Sequence, residues 1–203
     1  ALDDARKEEI LPYFERLRDA LDIPILYVSH AGSEVARLAT TLVVVENGRI
    51  ARQGDAATLL SDPSVTPFGA SAAGVILQAR VQAQMEDGIT EVTSGGQTLL
   101  LPQVPAPIGA SVRIRIEAQD VMIATTRPTD ISALNILPAT VAALRMGEGP
   151  GVLVQLKAGE NLLLARITRR SATALSLREG TPVYAVLKAV SVPRDAIGDT
   201  RHA

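Results

Sequence analysis

The residues of this chain that could do chemistry fall in two places. The stretch from Ile131 to Val192 carries seven Lys or Arg against three Glu in a chain whose net charge is −2. A local excess of cations on an acidic background is where an anion would be held. The second place is His30, in Tyr27-Val28-Ser29-His30, at the end of the apolar run from Ile23 to Val28. A neutral imidazole there can hydrogen-bond a phosphate oxygen or an attacking water, and open α/β sheets bind ligands at the carboxyl edge of their strands. Taken alone, His30 reads first as a histidine that caps or satisfies a strand end.

Composition removes several chemistries. The 203 residues include no cysteine and two histidines, which excludes disulfides and thiolate metal sites and leaves no multi-histidine metal centre, so the metal expectation is none. Aromatic residues are 2% with no Trp. Single-strand nucleic-acid binders rest on aromatic stacking platforms, so nucleic acid is not an expected partner. No apolar run approaches a membrane helix and no secretory leader pattern is present, which points to a soluble, cytosolic chain. The first residue is Ala1 rather than Met and stands at what reads as the start of a helix, as though the chain continued upstream.

The elements that would position these residues change character along the chain. Asp3 and Asp4 can cap a helix with apolar positions at Ile10, Phe14, Leu17 and Leu21, kinked or delayed by Pro12. The run 23–28, apolar on both faces, reads as a buried parallel strand. A short helix over 33–39 follows, then two β-runs joined by Asn47-Gly48, a hairpin signal, and one or two helical turns stopped by Pro63. Residues 62–74, rich in Pro, Gly, Ser and Ala, read as a linker. Beyond it lie short β-runs only. That order predicts two domains rather than one mixed sheet.

The β part looks duplicated. Residues 76–81 (ILQARV) echo 136–141 (ILPATV), 96–104 (GQTLLLPQV) echo 159–167 (GENLLLARI), and 109–121 echo 180–192. The offsets, 60, 63 and 71, rise with position as loop insertions between two copies would make them. The expected units are 1–61, a linker at 62–74, a first β unit at 75–126, a second at 131–192, and a polar tail at 193–203.

Two resemblances follow from these residues. Ala1-Leu2-Asp3-Asp4, Ser29-His30, Glu34-Val35 and Glu46-Asn47-Gly48-Arg49-Ile50 resemble the last third of the nucleotide-binding subunit of ATP-binding-cassette (ABC) transporters. The resemblance implies that Asp3 belongs to the loop that reaches across the ATPase dimer. It makes His30 the switch residue at the γ-phosphate, with ATP and Mg²⁺ as cofactors of the whole subunit. The family carries an acidic residue soon after that histidine, where this chain has Ala31-Gly32. Neither the Gly-x-x-x-x-Gly-Lys-Ser/Thr loop nor the Leu-Ser-Gly-Gly-Gln signature occurs in the sequence. Phosphoryl transfer needs that cradle, so the chain is not expected to hydrolyse ATP by itself.

Residues 131–141, 167–177 and 183–192 resemble the molybdate-binding Mop domain, an OB-like barrel. The fold class so implied is the end of a P-loop NTPase-type parallel α/β domain followed by two OB-like Mop β-barrel units. By this resemblance molybdate or tungstate is a regulatory ligand, held by Ser132, Thr168, Ser171 and Lys188, and the β units join the subunits as a homodimer. The whole protein would work with membrane permease subunits at the inner face of the cell membrane. Several short donors with one or two cations suit a tetrahedral dianion, because charge-assisted hydrogen bonds are about twice as strong as neutral ones.

The plainer account makes the three hydroxyls turn or strand-edge residues and Lys188 an exposed strand lysine. Leu134 stands where many members have Arg, with Arg166 or Arg169 as substitutes. In the first copy the match to Lys188 is Glu117, so an oxyanion is expected at the second copy. The alternative is an ABC subunit for another solute, whose β domain only dimerises or binds a partner.

Overall fold

The structure, a computed structural model, describes residues 4–21, 23–66, 69, 72–147, 149–189 and 197–200. It is mostly β with a few helices. Helix α1 (Asp4–Ala20) carries Pro12 inside it, and the buried side of the helix holds Leu11 and Glu15, whereas Leu17 and Leu21 are exposed. Asp4 lies within the helix, and Asp3 lies outside the described residues. Helix α2 (Gly32–Leu38) and the hairpin β1 (Thr41–Glu46) and β2 (Arg49–Asp55) form where expected. Asn47 and Gly48 both take positive φ, as a two-residue hairpin turn requires. Helix α3 (Ala56–Ser61) is capped by Asp55, which accepts a hydrogen bond from the Thr58 backbone at 2.7 Å.

The buried parallel strand expected at 23–28 is not formed. The segment joins no sheet, and Leu26 is 91% and Val28 90% exposed. A strand apolar on both faces needs a neighbour on each edge and a layer on each side. Among the described residues the only sheet in this part is the antiparallel pair β1–β2. The parallel α/β arrangement expected for the first sixty residues is therefore absent from what is described.

The β part consists of two five-stranded antiparallel sheets of the same design. Their strands are β3 (Gly74–Gln84), β4 (Ile89–Ser94), β5 (Gln97–Pro102), β6 (Ser111–Glu117), β7 (Met122–Ala124), β8 (Asn135–Met146), β9 (Gly151–Ala158), β10 (Asn161–Thr168), β11 (Pro182–Leu187) and β12 (Ile197–Thr200). The first sheet orders β12-β6-β3-β4-β5 and the second β10-β9-β8-β11-β7.

Equivalent irregularities mark the repeat. The β3–β4 ladder shifts register between Val81 and Ala83, and the β8–β9 ladder between Val141 and Ala143. Each bulge bends its long strand. The bends are held alike: Val81 exchanges hydrogen bonds with Ala110 and Gly109 at 2.9 and 2.8 Å, and Val141 with Thr181 and Gly180 at 2.9 and 2.8 Å. One alignment needs a one-residue correction. Val92 faces Leu99 and Leu156 faces Leu163, so Leu99 corresponds to Leu163 rather than to Leu162. A one-residue slip turns every side chain to the other face, and Leu99 and Leu163, at 1% and 0% exposure, are the core members.

The fifth strands are exchanged. β7 follows the first copy in sequence yet pairs with β11 of the second, while β12, inside the stretch read as a polar tail, pairs with β6 of the first. One continuous core results, from Val75 and Leu77 through Leu137 and Leu163 to Ile197. The residues read as a linker also pack: Pro63 and Val65 are buried, and Arg145 donates to the Pro63 carbonyl at 3.3 Å.

The outer face of the first sheet receives α2 and α3. Ile76 packs with Val35, Ala36, Ala56 and Leu60. The Arg113 guanidinium donates to the carbonyls of Arg37 and Ala39 at 3.3 and 2.5 Å. Beneath α1, Glu15 and Arg37 form a buried two-point ion pair at 2.6 and 3.1 Å.

Candidate oxyanion site

Register decides where the four expected ligands stand. Asn135, at the start of β8, faces Leu187, at the end of β11. The loop carrying Ser132 and the chain at Lys188 therefore leave the sheet at the same end, and both residues are exposed. Thr168 closes β10 opposite Gly151, next to the end of β8 where Met146 faces Val152. The four residues thus form two pairs, separated by the length of β8, a twelve-residue strand. Among the described residues no hydrogen bond links one pair to the other.

Each pair is built by local chemistry. Thr168 caps helix α4 (Arg169–Ala174): its Oγ1 accepts from the Ser171 backbone at 3.0 Å and lies 2.9 Å from the Ser171 hydroxyl. One hydroxyl donates to the other, which leaves the pair a single hydroxyl proton for a ligand, and one lone pair of Thr168 is taken by the cap. The loop that carries Ser132 is anchored by Asn135, a member of the Ser132-Ala133-Leu134-Asn135 motif to which sequence reasoning assigned no role of its own. Asn135, 3% exposed, accepts from the Leu100 backbone N–H at 2.7 Å and donates to the Leu100 carbonyl at 2.9 Å. Its side-chain amide acts as one more peptide on the edge of β5 and ties the 131–134 loop to the first copy. The signal available in sequence was an Asn at the mouth of an apolar strand, where an amide is costly to bury unless both its ends are bonded.

Leu134 is 53% exposed. Arg169 donates to the Gly147 carbonyl and so braces the β8–β9 turn, while Arg166 is exposed on β10. In the first copy Glu117 is paired with Arg115, and Gln119 donates to it at 2.8 Å. Burial, reinforced by the Glu117 carboxylate and opposed by Arg115, raises Asp120 above its ordinary carboxylate value. That end of the first copy is a carboxylate cluster, the reverse of what a dianion needs.

His30 is exposed at the bend before α2. Nearby, Glu34 accepts from the Tyr27 hydroxyl at 2.9 Å and from the Ser29 hydroxyl at 2.5 Å, and Ser29 Oγ in turn accepts from the Ala31 backbone N–H at 3.0 Å. This network shapes the turn that presents the imidazole. Among the described residues there is no group of His, Asp and Glu that could hold a metal ion, and no helix is long and apolar enough to cross a membrane.

Comparison with known proteins adds likenesses. The segment 131–193 matches the TOBE domain. Over nearly its whole length the chain is also similar to the "Molybdenum import ATP-binding protein ModC" of Mesorhizobium japonicum, 44% identical over 98% of this chain and 54% of that protein. The protein of the same name from Rhizobium meliloti is 45% identical over 95% of this chain and 54% of its own length. The chain spans about half the length of the curated relatives it matches. Among solved structures, the "cytoplasmic molybdate-binding protein ModG" with molybdate bound aligns over 61% of this chain and 94% of that one, with a TM-score of 0.54 and 23% identity. That likeness concerns the fold alone, two β units of the same design side by side.

Proposed function

We propose that this chain is the C-terminal regulatory part of the ATP-binding subunit of a molybdate or tungstate importer of the ABC class. The similarity to molybdenum import ATP-binding proteins over 98% of the chain carries the reading. ATP with Mg²⁺ serves the whole subunit. In it Asp3 and His30 take the cross-dimer and γ-phosphate roles, and permease subunits hold the assembly against the inner face of the membrane. The tandem β units join two subunits and sense the oxyanion through Ser132, Thr168, Ser171 and Lys188.

The separation of those residues into two pairs at opposite ends of β8 favours a site completed by a second subunit. Such a site gives the anion a way to regulate, because a ligand shifts an equilibrium only by binding one arrangement better than another. The exposed Leu134, which leaves the Ser132 loop without a cation of its own, favours the second reading, a β domain that only dimerises.

Isothermal titration with molybdate, using sulfate as control, separates the two. Heat with molybdate, absent with sulfate and abolished in Lys188→Ala, is the expected result. Silence with molybdate leaves dimerisation alone.

A further inference from the structure

The two copies are each other's control. Their inner faces hold the same residues at matching positions: Leu77 and Leu137, Ala79 and Ala139, Val81 and Val141, Val112 and Val183. Their outer strips do not. By register, Thr93, Arg80, Gln78, Ser111 and Arg113 of the first copy become Lys157, Thr140, Pro138, Pro182 and Tyr184 of the second. The first strip is used within the chain, since Arg113 holds the end of α2. Among the described residues no element covers the second strip, and an open groove of about 630 Å³ lies over it, crossing from β9 through β8 and β11 to Thr125, just past the swapped β7. That volume is within the range of small-molecule sites, about 300–1,000 Å³.

The lining has a consistent chemistry. Lys157 supplies a cation at one end, and no ion pair engages it among the described residues. Thr125, Thr140 and Tyr184 supply hydroxyls, and Gln97, from the first copy, supplies an amide. Pro138, Pro182 and the half-buried Tyr184 provide apolar wall, and among the described residues no Asp or Glu lines the groove. Donors and one cation without a carboxylate select an anion. The volume exceeds what a bare oxyanion fills, and the proline and tyrosine surface suits a ring.

We infer that this groove is a second ligand site, separate from Ser132, Thr168, Ser171 and Lys188, for a ring-bearing phosphate monoester, with Lys157 on the phosphate and the hydroxyls on the body. Such a ligand would touch the first copy at Gln97, the second at Thr140 and Lys157, and the chain beyond swapped β7 at Thr125. It would therefore bridge the seam between the copies.

Titration calorimetry of the 203-residue chain tests this with AMP and ribose 5-phosphate, beside adenosine and inorganic phosphate. At least one ester should bind with Kd below about 1 mM and about tenfold tighter than adenosine and inorganic phosphate. Lys157→Gln should weaken it about tenfold, and Lys188→Ala should leave it unchanged. Tighter AMP than ribose 5-phosphate would place the base on the Pro138, Pro182 and Tyr184 wall; equal affinities would place the ribosyl phosphate there. Silence of both esters overturns the site. So does adenosine binding as tightly as AMP, or a Lys157→Gln chain, folded by circular dichroism, that binds like wild type.

Discussion

Single residues show how far type and neighbours decide behaviour here. Asp55 is held below its ordinary value of 3.8, first by the hydrogen bond from the Thr58 backbone and then by the Thr58 hydroxyl. A carboxyl with a depressed folded pKa stabilises the fold above its unfolded pKa and loses that contribution as pH falls through the folded one. Asp55→Ala should therefore cost about 1 kcal/mol at neutral pH, the usual worth of an N-cap. Asp55→Asn keeps an accepting oxygen and should lose the acid dependence, which urea melts at pH 7 and pH 3 would resolve. Asp120 has the opposite sign. Burial and Glu117 raise it, so its ionised form is a penalty present above the folded pKa and relieved as pH drops toward 3.8. Asp120→Asn should raise the melting temperature at pH 7, with the gain gone at pH 3. A lower melting temperature at pH 7 would show that the Arg115 attraction outweighs burial.

Strands and turns carry the join between the copies. Gly159 and Gly95 face each other across the hairpin tips: the Gly159 position has φ +61°, and a Cβ there would lie 2.3 Å from the Gly95 carbonyl oxygen. Asn161 reinforces the contact, donating to the Ser94 carbonyl at 2.9 Å, while Glu160 N–H donates to Gly95 at 2.9 Å. Gly159→Ala should thus destabilise more than Gly96→Ala, whose Cβ meets nothing within 4 Å although its φ is also positive; paired denaturation curves measure the difference. Asn135→Ala strips both bonds from Leu100 and should cost about 1–3 kcal/mol for buried backbone groups left without partners. The turn at Asn47-Gly48 was legible in sequence because positive φ at both positions is a local requirement that Asn and Gly meet. The docking of Asn135 on β5 was not, since its partner lies 35 residues away and amides on an edge strand leave no pattern of their own. The segment 23–28 misled for a related reason: apolar content marks a wish for burial, and only neighbouring strands grant it.

At the scale of the whole molecule, duplication was readable and exchange was not. Matching inner-face residues gave the copies away, yet β7 is three residues long and β12 four, too short to declare which sheet they join. Exchange makes each copy depend on the other's chain end, so the pair should unfold as one cooperative unit. Ile197, 9% exposed, enters the common core from β12 and stands opposite Ile114 of β6. Ile197→Asp should dislodge β12 by burying an unpaired carboxylate. The edge then bared belongs to the first copy although the substitution lies beyond the second. Hydrogen exchange would show amides of β6 losing protection before those of β11, which keep β7 and β8 on either side. Equal loss in β6 and β11 would mean that the shared core, rather than strand pairing, sets local stability. Earlier loss in β11 would contradict the exchange itself.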